Sequence, residues 1–308
     1  MPVRLNIQDL AALFESVKSQ VDEVYGPRLR DGAVALEVVR SLDDLPRRYR
    51  DEQTPGRYRL VKEGPDSFFG YVVGPQSLKK VLAPARRKLW EVRKSQDGQM
   101  AFAPEPPPQQ KLAFFGIRAC DIKALAISDK VYEGSYPDEY YQALRQNLFL
   151  VTATCHTPSQ VCFCTSMGYG PKADSFDLNI TEVVASEGDP YFLVEAGSDR
   201  GQVLLDTVGQ KPSPALAAEV KNVYQQACEK ITKTMPGGDT AQLLKDNLEH
   251  TSWDEIAERC LSCGNCTAVC PTCFCSTTYD VNDLEGDHSE RWLRQDSCFT
   301  ADISYIHG

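Results

Sequence analysis

Four cysteines near the carboxyl-terminal end of the chain constrain its fold most, because their spacing fits a metal cluster. They are separated by two, two and three residues and followed by a proline: Cys260, Cys263, Cys266, Cys270 and Pro271. This is the ferredoxin spacing, in which three thiolates bind one four-iron cluster and the fourth binds a second cluster. Gly264 allows the backbone to fold closely around such a group. Because a zinc site more often has two well-separated cysteine pairs, the run predicts an iron–sulfur cluster and leaves zinc as the alternative.

The other cysteines and the amino-terminal sequence favour metal binding over disulfides. The chain has 12 cysteines in 308 residues, well below the roughly 8–10% that marks a disulfide scaffold. None occurs before Cys120, and the amino terminus has no apolar block with a cleavage site. The apolar stretches are far shorter than the roughly 20 residues that span a bilayer. We therefore expect a cytoplasmic chain, without membrane insertion, whose cysteines bind metal.

The charge of the chain argues against nucleic acid as a partner. The formal net charge is −10. The segment 251–308, which contains the cysteine run, has ten acidic and three basic residues. A surface that binds the phosphate backbone would need the opposite sign, so we expect no nucleic-acid binding at this end of the chain.

A second set of cysteines follows two predicted strands. Residues 112–155 have the pattern of a βαβ unit, with strands over Leu112–Ile117 and Leu148–Thr154 and a helix over Asp121–Tyr132. Parallel strands bring their carboxyl ends to one edge of the sheet. The cysteines that follow these strands, with two more on the next loop, are Cys120, Cys155, Cys162 and Cys164. We expect them to form a thiolate site for an iron–sulfur cluster or zinc, unless some are buried core residues.

The remaining cysteines and one basic segment have several interpretations. Three cysteines near the ferredoxin run could bind metal, pack against a cluster or do neither: Cys273, Cys275 and Cys298. Cys228 falls within a helix predicted over residues 214–235, where burial as a small hydrophobic residue is expected. The basic segment 79–94 could face phosphate groups or an acidic subunit of a partner, or form the solvated face of a helix.

Hydrophobic periodicity predicts both helices and strands. Apolar residues at helical spacing predict a helix over residues 7–24, and short β-type runs follow, including Phe68–Val73. Gln202–Leu205 also has strand character. Farther along, Ser252 and Glu255 match the capping box of another helix.

We therefore predict a fold of the α+β or α/β class in two domains. Residues 1–210 would form a mixed α/β domain with an iron–sulfur site. Residues 211–308 would form a mainly α-helical, ferredoxin-like domain that is incomplete at its carboxyl-terminal end.

Four stretches give the chain a resemblance to a known family: Gly74–Lys80, Phe115–Asp121, Cys162–Gly168 and Cys260–Cys298. In these stretches it resembles the iron–sulfur (beta) subunit of cytoplasmic sulfhydrogenases together with the corresponding iron–sulfur subunit of anaerobic sulfite reductase. The similarity extends from near residue 25 to the end of the chain.

The resemblance implies an electron-transfer subunit. Members of the family pass electrons between a flavin- and NAD(P)-binding subunit and a catalytic subunit such as a hydrogenase or siroheme sulfite reductase. By this resemblance, one 4Fe-4S cluster would be bound by Cys120, Cys155, Cys162 and Cys164. A carboxyl-terminal cluster would be bound by Cys260, Cys263 and Cys266, with Cys270 a ligand of a further one.

The chain departs from the family pattern at its end. Members of the family continue into a second run of the same spacing, and this chain stops at Gly308 without it. The first three cysteines of the run then lack a fourth ligand, and Cys270 lacks its companions. We expect a truncated form. The alternative is a single cluster that recruits Cys298 or Cys275.

Three functional hypotheses follow from these features. The first is a non-catalytic electron-transfer subunit of an oxidoreductase complex. The second is a structural or regulatory zinc protein that uses the same cysteine sets. The third is an enzyme with a cluster or bound flavin at the sheet edge, which has little support because the sequence contains no nucleophilic triad, phosphate loop or GxGxxG motif.

Overall fold

The chain folds into two compact units. A computed structural model describes residues 1–62, 64–74, 76–184 and 188–300. Unit 1 comprises Met1–Leu78 and Pro107–Thr234, and unit 2 comprises Lys79–Pro106 and Met235–Gly308. This division differs from the expected boundary at residue 210, because unit 2 takes in a segment from the first half of the chain. Pro75, in the Gly74–Lys80 stretch, lies outside the described residues.

The secondary-structure elements are numbered here in chain order. The strands are β1 (Val3–Leu5), β2 (Glu23–Arg30), β3 (Ala33–Val38), β4 (Arg50–Thr54), β5 (Arg57–Val61), β6 (Arg86–Lys94), β7 (Met100–Pro104), β8 (Leu112–Ile117), β9 (Leu148–Ala153), β10 (Leu178–Val183), β11 (Tyr191–Ala196), β12 (Ser276–Asn282) and β13 (His288–Gln295). The helices are α1 (Ile7–Lys18), α2 (Lys79–Leu82), α3 (Ala119–Tyr132), α4 (Glu139–Gln146), α5 (Asp199–Asp206), α6 (Pro214–Lys230), α7 (Thr240–Lys245), α8 (Ser252–Arg259) and α9 (Asn265–Val269). This mixture confirms the predicted α+β class.

A mixed sheet forms the centre of unit 1. Its strand order is β1-β11-β10-β9-β8-β2-β3, and β2, β8, β9 and β10 run parallel. The predicted βαβ unit is present, with α3 and α4 connecting β8 to β9. All residues of β8 and β9 are buried, as expected of central parallel strands that are covered on both faces.

Helix α1 covers part of the core, and it is shorter than predicted. A capping box starts it, in which Asn6 Oδ1 accepts from Asp9 N at 2.8 Å. The helix ends at Lys18 rather than at residue 24, because Val24 instead pairs with Ala113 in the parallel ladder of β2 and β8. The apolar periodicity of 7–24 therefore combined a helix with the start of a buried strand.

Unit 2 contains a four-stranded antiparallel sheet. The order is β12-β13-β6-β7, so the segment 79–106 supplies half of its strands. The interpretation of residues 79–94 as a helical face is therefore wrong beyond Leu82, where α2 ends and the chain continues into β6. Arg86 stacks on the ring of Trp292, at 4.0 Å from the ring centroid.

Three other local predictions differ from the structure. Gln202–Leu205 is part of helix α5, because Ser198 caps the helix by accepting from Gly201 N. The capping box predicted at Ser252 is absent, and α8 begins after Thr251 without a side-chain cap. Phe68–Val73 forms no strand ladder, since buried side chains bind its backbone groups instead.

Candidate functional site

The four cysteines of the second set line one cavity in unit 1. The cavity has a volume of about 220 Å³ and lies at the carboxyl ends of β8 and β9. Its walls also contain Val72, Arg118, Ala119, Pro158, Phe163, Tyr169, Pro171 and Ile231. Three separate parts of the chain therefore bring thiols to a mostly apolar space, as the βαβ argument predicts for Cys120 and Cys155.

Backbone hydrogen bonds position three of these cysteines. Cys120 lies in the first turn of α3, where Asp121 Oδ2 accepts from Arg118 N at 2.9 Å. Cys155 follows β9, and its N–H donates to Pro171 O at 3.0 Å. On the next loop, Cys162 N donates to Ser159 O at 3.0 Å. These bonds fix the directions in which the cysteines leave the backbone.

Gly170 is required by the close approach of the loop to Cys164. Its φ is +61°, in the left-handed region, and a Cβ there would lie 3.0 Å from Cys164 Sγ. A side chain at this position would push against the thiol as well as strain the backbone. The glycine thus allows the loop to pass close to Cys164.

Burial raises the pKa of all four thiols. Cys155, Cys162 and Cys164 are partly buried. Cys120 is partly exposed to solvent. It nevertheless lines the cavity, and burial by the surrounding protein raises the pKa of its thiol well above the ordinary value. Without a bound metal the set therefore favours neutral thiols, and metal or cluster binding must displace their protons.

Arg118 is a buried cation in the cavity wall. The residue is 3% exposed. Its guanidinium donates to backbone carbonyls of two segments, at 2.8 Å to Phe69 O, 3.0 Å to Tyr71 O and 3.4 Å to Ala153 O. It also lies 5.6 Å from the ring centroid of Phe69, within cation–π range.

A buried carboxylate holds the segment that carries Phe69 and Val72. Glu182 is 1% exposed and accepts from Phe68 N at 2.7 Å and Phe69 N at 2.9 Å. His156 Nε2 lies 2.9 Å from its second oxygen, which Ser67 Oγ also approaches at 2.7 Å. This network explains why 68–73 is ordered without a strand ladder.

The cysteines of the ferredoxin run lie on a turn and a short helix in unit 2. Helix α8 ends at Arg259 with Cys260 as its C-cap, and Ser262 N donates to Cys260 Sγ at 3.4 Å. Gly264 adopts φ +68° and precedes α9, which carries Cys266. Cys260, Cys263 and Cys266 are solvent-exposed. Gly264 thus has the left-handed conformation that glycine permits, as its place in the run suggested.

Cys270 is the most enclosed cysteine of the run and contacts Cys273. Although burial opposes it, hydrogen bonds from Thr272 and Cys273 lower the pKa of Cys270. Burial and the bond to Cys270 raise the pKa of Cys273 to about 11. Lys79 Nζ donates to Cys270 O at 3.3 Å and to Thr267 O at 2.9 Å, which places a positive charge beside these thiols. The structure thus gives Cys273 a place next to the run, which the sequence left open.

The described residues contain one group of possible ligands at the spacing of a closed metal site, and it contains no cysteine. With Zn–S bonds of about 2.3 Å, tetrahedral ligands lie about 3.8 Å apart. Among the described residues no three cysteine sulfurs lie within 4.8 Å of one another, and the one group of three possible ligands at that spacing is Glu91, His288 and Glu290. The Lys88 ammonium already lies 3.0 Å from Glu91 Oε2.

Sequence reasoning found the cysteines and missed the charged residues beside them. Arg118 stands in the Phe115–Asp121 stretch, directly after a strand and two residues before a cysteine, but its sequence position does not show that it is buried. Lys79 lay in a basic segment that suggested a surface. The burial of Arg118 and the partial burial of Lys79 depend on contacts with distant segments, and a local sequence pattern does not show such contacts.

Comparison with known proteins finds a matching family model and a relative of this chain. The family model of the 4Fe-4S dicluster domain matches residues 259–308. Sulfhydrogenase 2 subunit beta of Pyrococcus furiosus is 30% identical over 315 aligned positions, covering 99% of this chain and 82% of that protein. This chain belongs to the sulfhydrogenase beta-subunit family. No solved structure matches it.

Membership in this family, together with the dicluster match, makes the chain an iron–sulfur electron-transfer subunit. The relative is itself one subunit of a larger protein, so chains of this family work with partner subunits. Within the described part of the chain, none of the helices has the length and apolar character needed to cross a membrane. The cytoplasmic location stays a prediction.

Proposed function

We propose that this chain passes electrons between a flavin- and NAD(P)-binding subunit and a catalytic redox subunit of the hydrogenase or sulfite reductase type. In this proposal, a 4Fe-4S cluster is bound in unit 1 by Cys120, Cys155, Cys162 and Cys164. In unit 2, Cys260, Cys263 and Cys266 bind one cluster and Cys270 is a ligand of another. The observation that carries the proposal is the convergence of four thiols, from three parts of the chain, on one apolar cavity.

The surroundings of the cavity suit electron transfer. A bound cluster would supply a one-electron step with little rearrangement, and the protein would control its potential through burial, charge and hydrogen bonds. Val72, Phe163 and Ile231 limit the access of water. In the same wall, the Gly170 loop keeps Cys164 in place without a side chain between them.

The partners are proposed from the family. The matching relative is named as a subunit of a sulfhydrogenase. An electron-transfer subunit needs a donor and an acceptor, and the sequence of this chain shows no nucleotide-binding motif of its own. The proposal therefore assigns NAD(P) and flavin binding to one partner subunit and the catalytic centre to another.

The ligand assignment in unit 1 can be tested by electron paramagnetic resonance of the dithionite-reduced protein, purified anaerobically. Cys162→Ser should remove one cluster signal and lower the iron content, because a serine hydroxyl is a poor ligand for iron in a cluster. Cys228→Ser is the matched control. Cys228 lies in the same unit on α6 but does not line the cavity, and its replacement should leave the spectrum unchanged.

Two results would contradict the assignment. A Cys162→Ser protein with the full wild-type spectrum would show that the cavity holds no cluster. Stoichiometric zinc in a colourless, air-stable wild-type protein would favour the second hypothesis, in which the cysteine sets only fasten loops.

A further inference from the structure

Arg118 is buried without an anionic partner, which is unusual for an arginine. Its hydrogen-bond acceptors are neutral backbone carbonyls of Phe69, Tyr71, Ala153 and Thr154. Among the described residues no carboxylate oxygen lies within 4.0 Å of its guanidinium nitrogens, and its Nε has no hydrogen-bond partner. A buried charge destabilises a protein unless an opposite charge lies near it.

The four cysteines would bring negative charge close to Arg118 once they bind a cluster as thiolates. Arg118 lines the same cavity as Cys120, Cys155, Cys162 and Cys164. Asp121 and Asp51 are the carboxylates whose pKa the Arg118 charge lowers, against the larger effect of burial. Asp121 Oδ2 accepts from the backbone N of Arg118, and Asp51 accepts from Val72 N at 2.6 Å. Neither acid is bound to the guanidinium.

We propose that Arg118 is the fixed counter-charge of the unit 1 cluster and keeps its reduction potential higher than the apolar cavity alone would allow. This inference rests on the proposed function, since it requires a cluster on the four cysteines. Arg118 touches no substrate and acts through the cluster, so it is a positioning and tuning residue.

The direction of the effect follows from electrostatics. Four thiolates leave a cluster with net negative charge, and reduction adds one more electron. A nearby positive charge in a medium of low dielectric constant stabilises the reduced form more than the oxidised form, which raises the potential. An arginine retains its charge throughout the accessible pH range. The effect should therefore be constant rather than switched by pH.

The position of Arg118 is fixed by the segments that it joins. Its guanidinium bridges the end of β9 and the segment around Phe69 and Tyr71, so the charge cannot swing into solvent. A flexible surface lysine at the same distance would be screened by water and salt. The carbonyl contacts thus hold the charge at the cavity.

The test is a redox titration of the full-length holoprotein, monitored by the paramagnetic signal that Cys162→Ser removes. Arg118→Met removes the charge at similar length and should shift the midpoint potential of this signal to a more negative value. Arg118→Lys keeps the charge and should stay close to the wild type. Arg200→Met is the control for net charge, because Arg200 binds Leu148 O at the opposite end of β9, about 20 Å away by the rise of a strand.

The outcomes separate this inference from the proposed function. Absence of any Cys162-dependent signal in the wild type would contradict both. Three results would overturn the role of Arg118 alone. The midpoint potential could stay unchanged in Arg118→Met, or it could fall in Arg118→Lys by as much as in Arg118→Met. It could also fall in Arg200→Met by as much as in Arg118→Met. If Arg118→Met fails to bind a cluster, loading of Arg118→Lys would support the need for the charge. Failure of both variants to load would show that the guanidinium shape matters instead.

Discussion

Gly116 directs Arg118 and Cys120 into the cavity. It has φ +77°, and the pairing of β8 with β9 shifts in register between Phe115 and Ile117. The bulge changes which side of the strand the following residues face. A Cβ at Gly116 would lie 2.7 Å from Cε1 of the buried Phe69 ring. One residue thus combines a left-handed backbone with a close approach to the segment that binds Arg118.

Gly116→Ala should lower the free energy of unfolding by about 1–3 kcal/mol more than Gly32→Ala. Both glycines have positive φ, at +77° and +76°, but a Cβ at Gly32 would meet no atom within 4 Å. The loss of stability in Gly32→Ala therefore measures the cost of a Cβ at positive φ alone. The additional loss in Gly116→Ala measures the clash with the Phe69 ring. Denaturant unfolding followed by circular dichroism gives both values. Equal losses in the two variants would mean that the Phe69 ring moves aside freely.

At the residue scale, the two candidate cysteine sets could be found from the sequence because the proposed ligands follow a characteristic spacing. Cys270 and its neighbours in the run are identified by their intervals alone. The role of Arg118 was not predictable, because its acceptors include Phe69 O, some fifty residues earlier in the chain. The bulge at Gly116 could not be predicted either, because it is a shift in the pairing of β8 with β9.

At the scale of elements, β6 holds unit 2 together. It lies between β13 and β7 and comes from the segment 79–106, far in sequence from β12 and β13. Val92 is 7% exposed and pairs with Ser289 on one side and Phe102 on the other. Loss of this strand should therefore loosen the sheet of unit 2.

Val92→Pro should destabilise unit 2 by about 3 kcal/mol or more, because proline removes a ladder hydrogen bond in a central strand. Met100→Pro is the control, since Met100 is exposed at the start of the edge strand β7. The three tryptophans, Trp90, Trp253 and Trp292, all lie in unit 2, so their fluorescence on denaturation reports its unfolding. A Val92→Pro midpoint equal to that of Met100→Pro would contradict the central position of β6.

Local periodicity predicted some elements and misread others for physical reasons. The strands of the βαβ unit were predicted because central parallel strands are continuously apolar. Phe68–Val73 has the same apolar character, but Glu182 and Arg118 bind its backbone groups in place of a neighbouring strand. Gln202–Leu205 was misread because Ser198 starts a helix just before it.

At the scale of the whole molecule, the sequence predicted the class and the two cysteine sets but not the discontinuous unit. The pairing of β6 with β13 joins residues about two hundred positions apart. Such pairing depends on the assembled sheet rather than on any local pattern. The cysteine sets were recognisable because each is confined to a few short stretches, whereas a domain boundary depends on contacts across the chain.

Each unit has a cation beside its cysteines. In unit 1 it is Arg118, held by backbone carbonyls. In unit 2 it is Lys79, whose ammonium binds Cys270 O and whose pKa is lowered by burial. The chain has a net charge of −10, and a positive charge beside each cysteine set favours the thiolate form of its cysteines. Each cysteine set therefore has a positive charge of its own nearby.

The most direct test of the central claim is the ratio of acid-labile sulfide to iron in anaerobically purified protein, measured together with zinc. An iron–sulfur electron-transfer subunit should contain sulfide and iron in nearly equal amounts, with little zinc, and dithionite should bleach its visible absorbance. Protein that contains stoichiometric zinc and no labile sulfide would contradict the account.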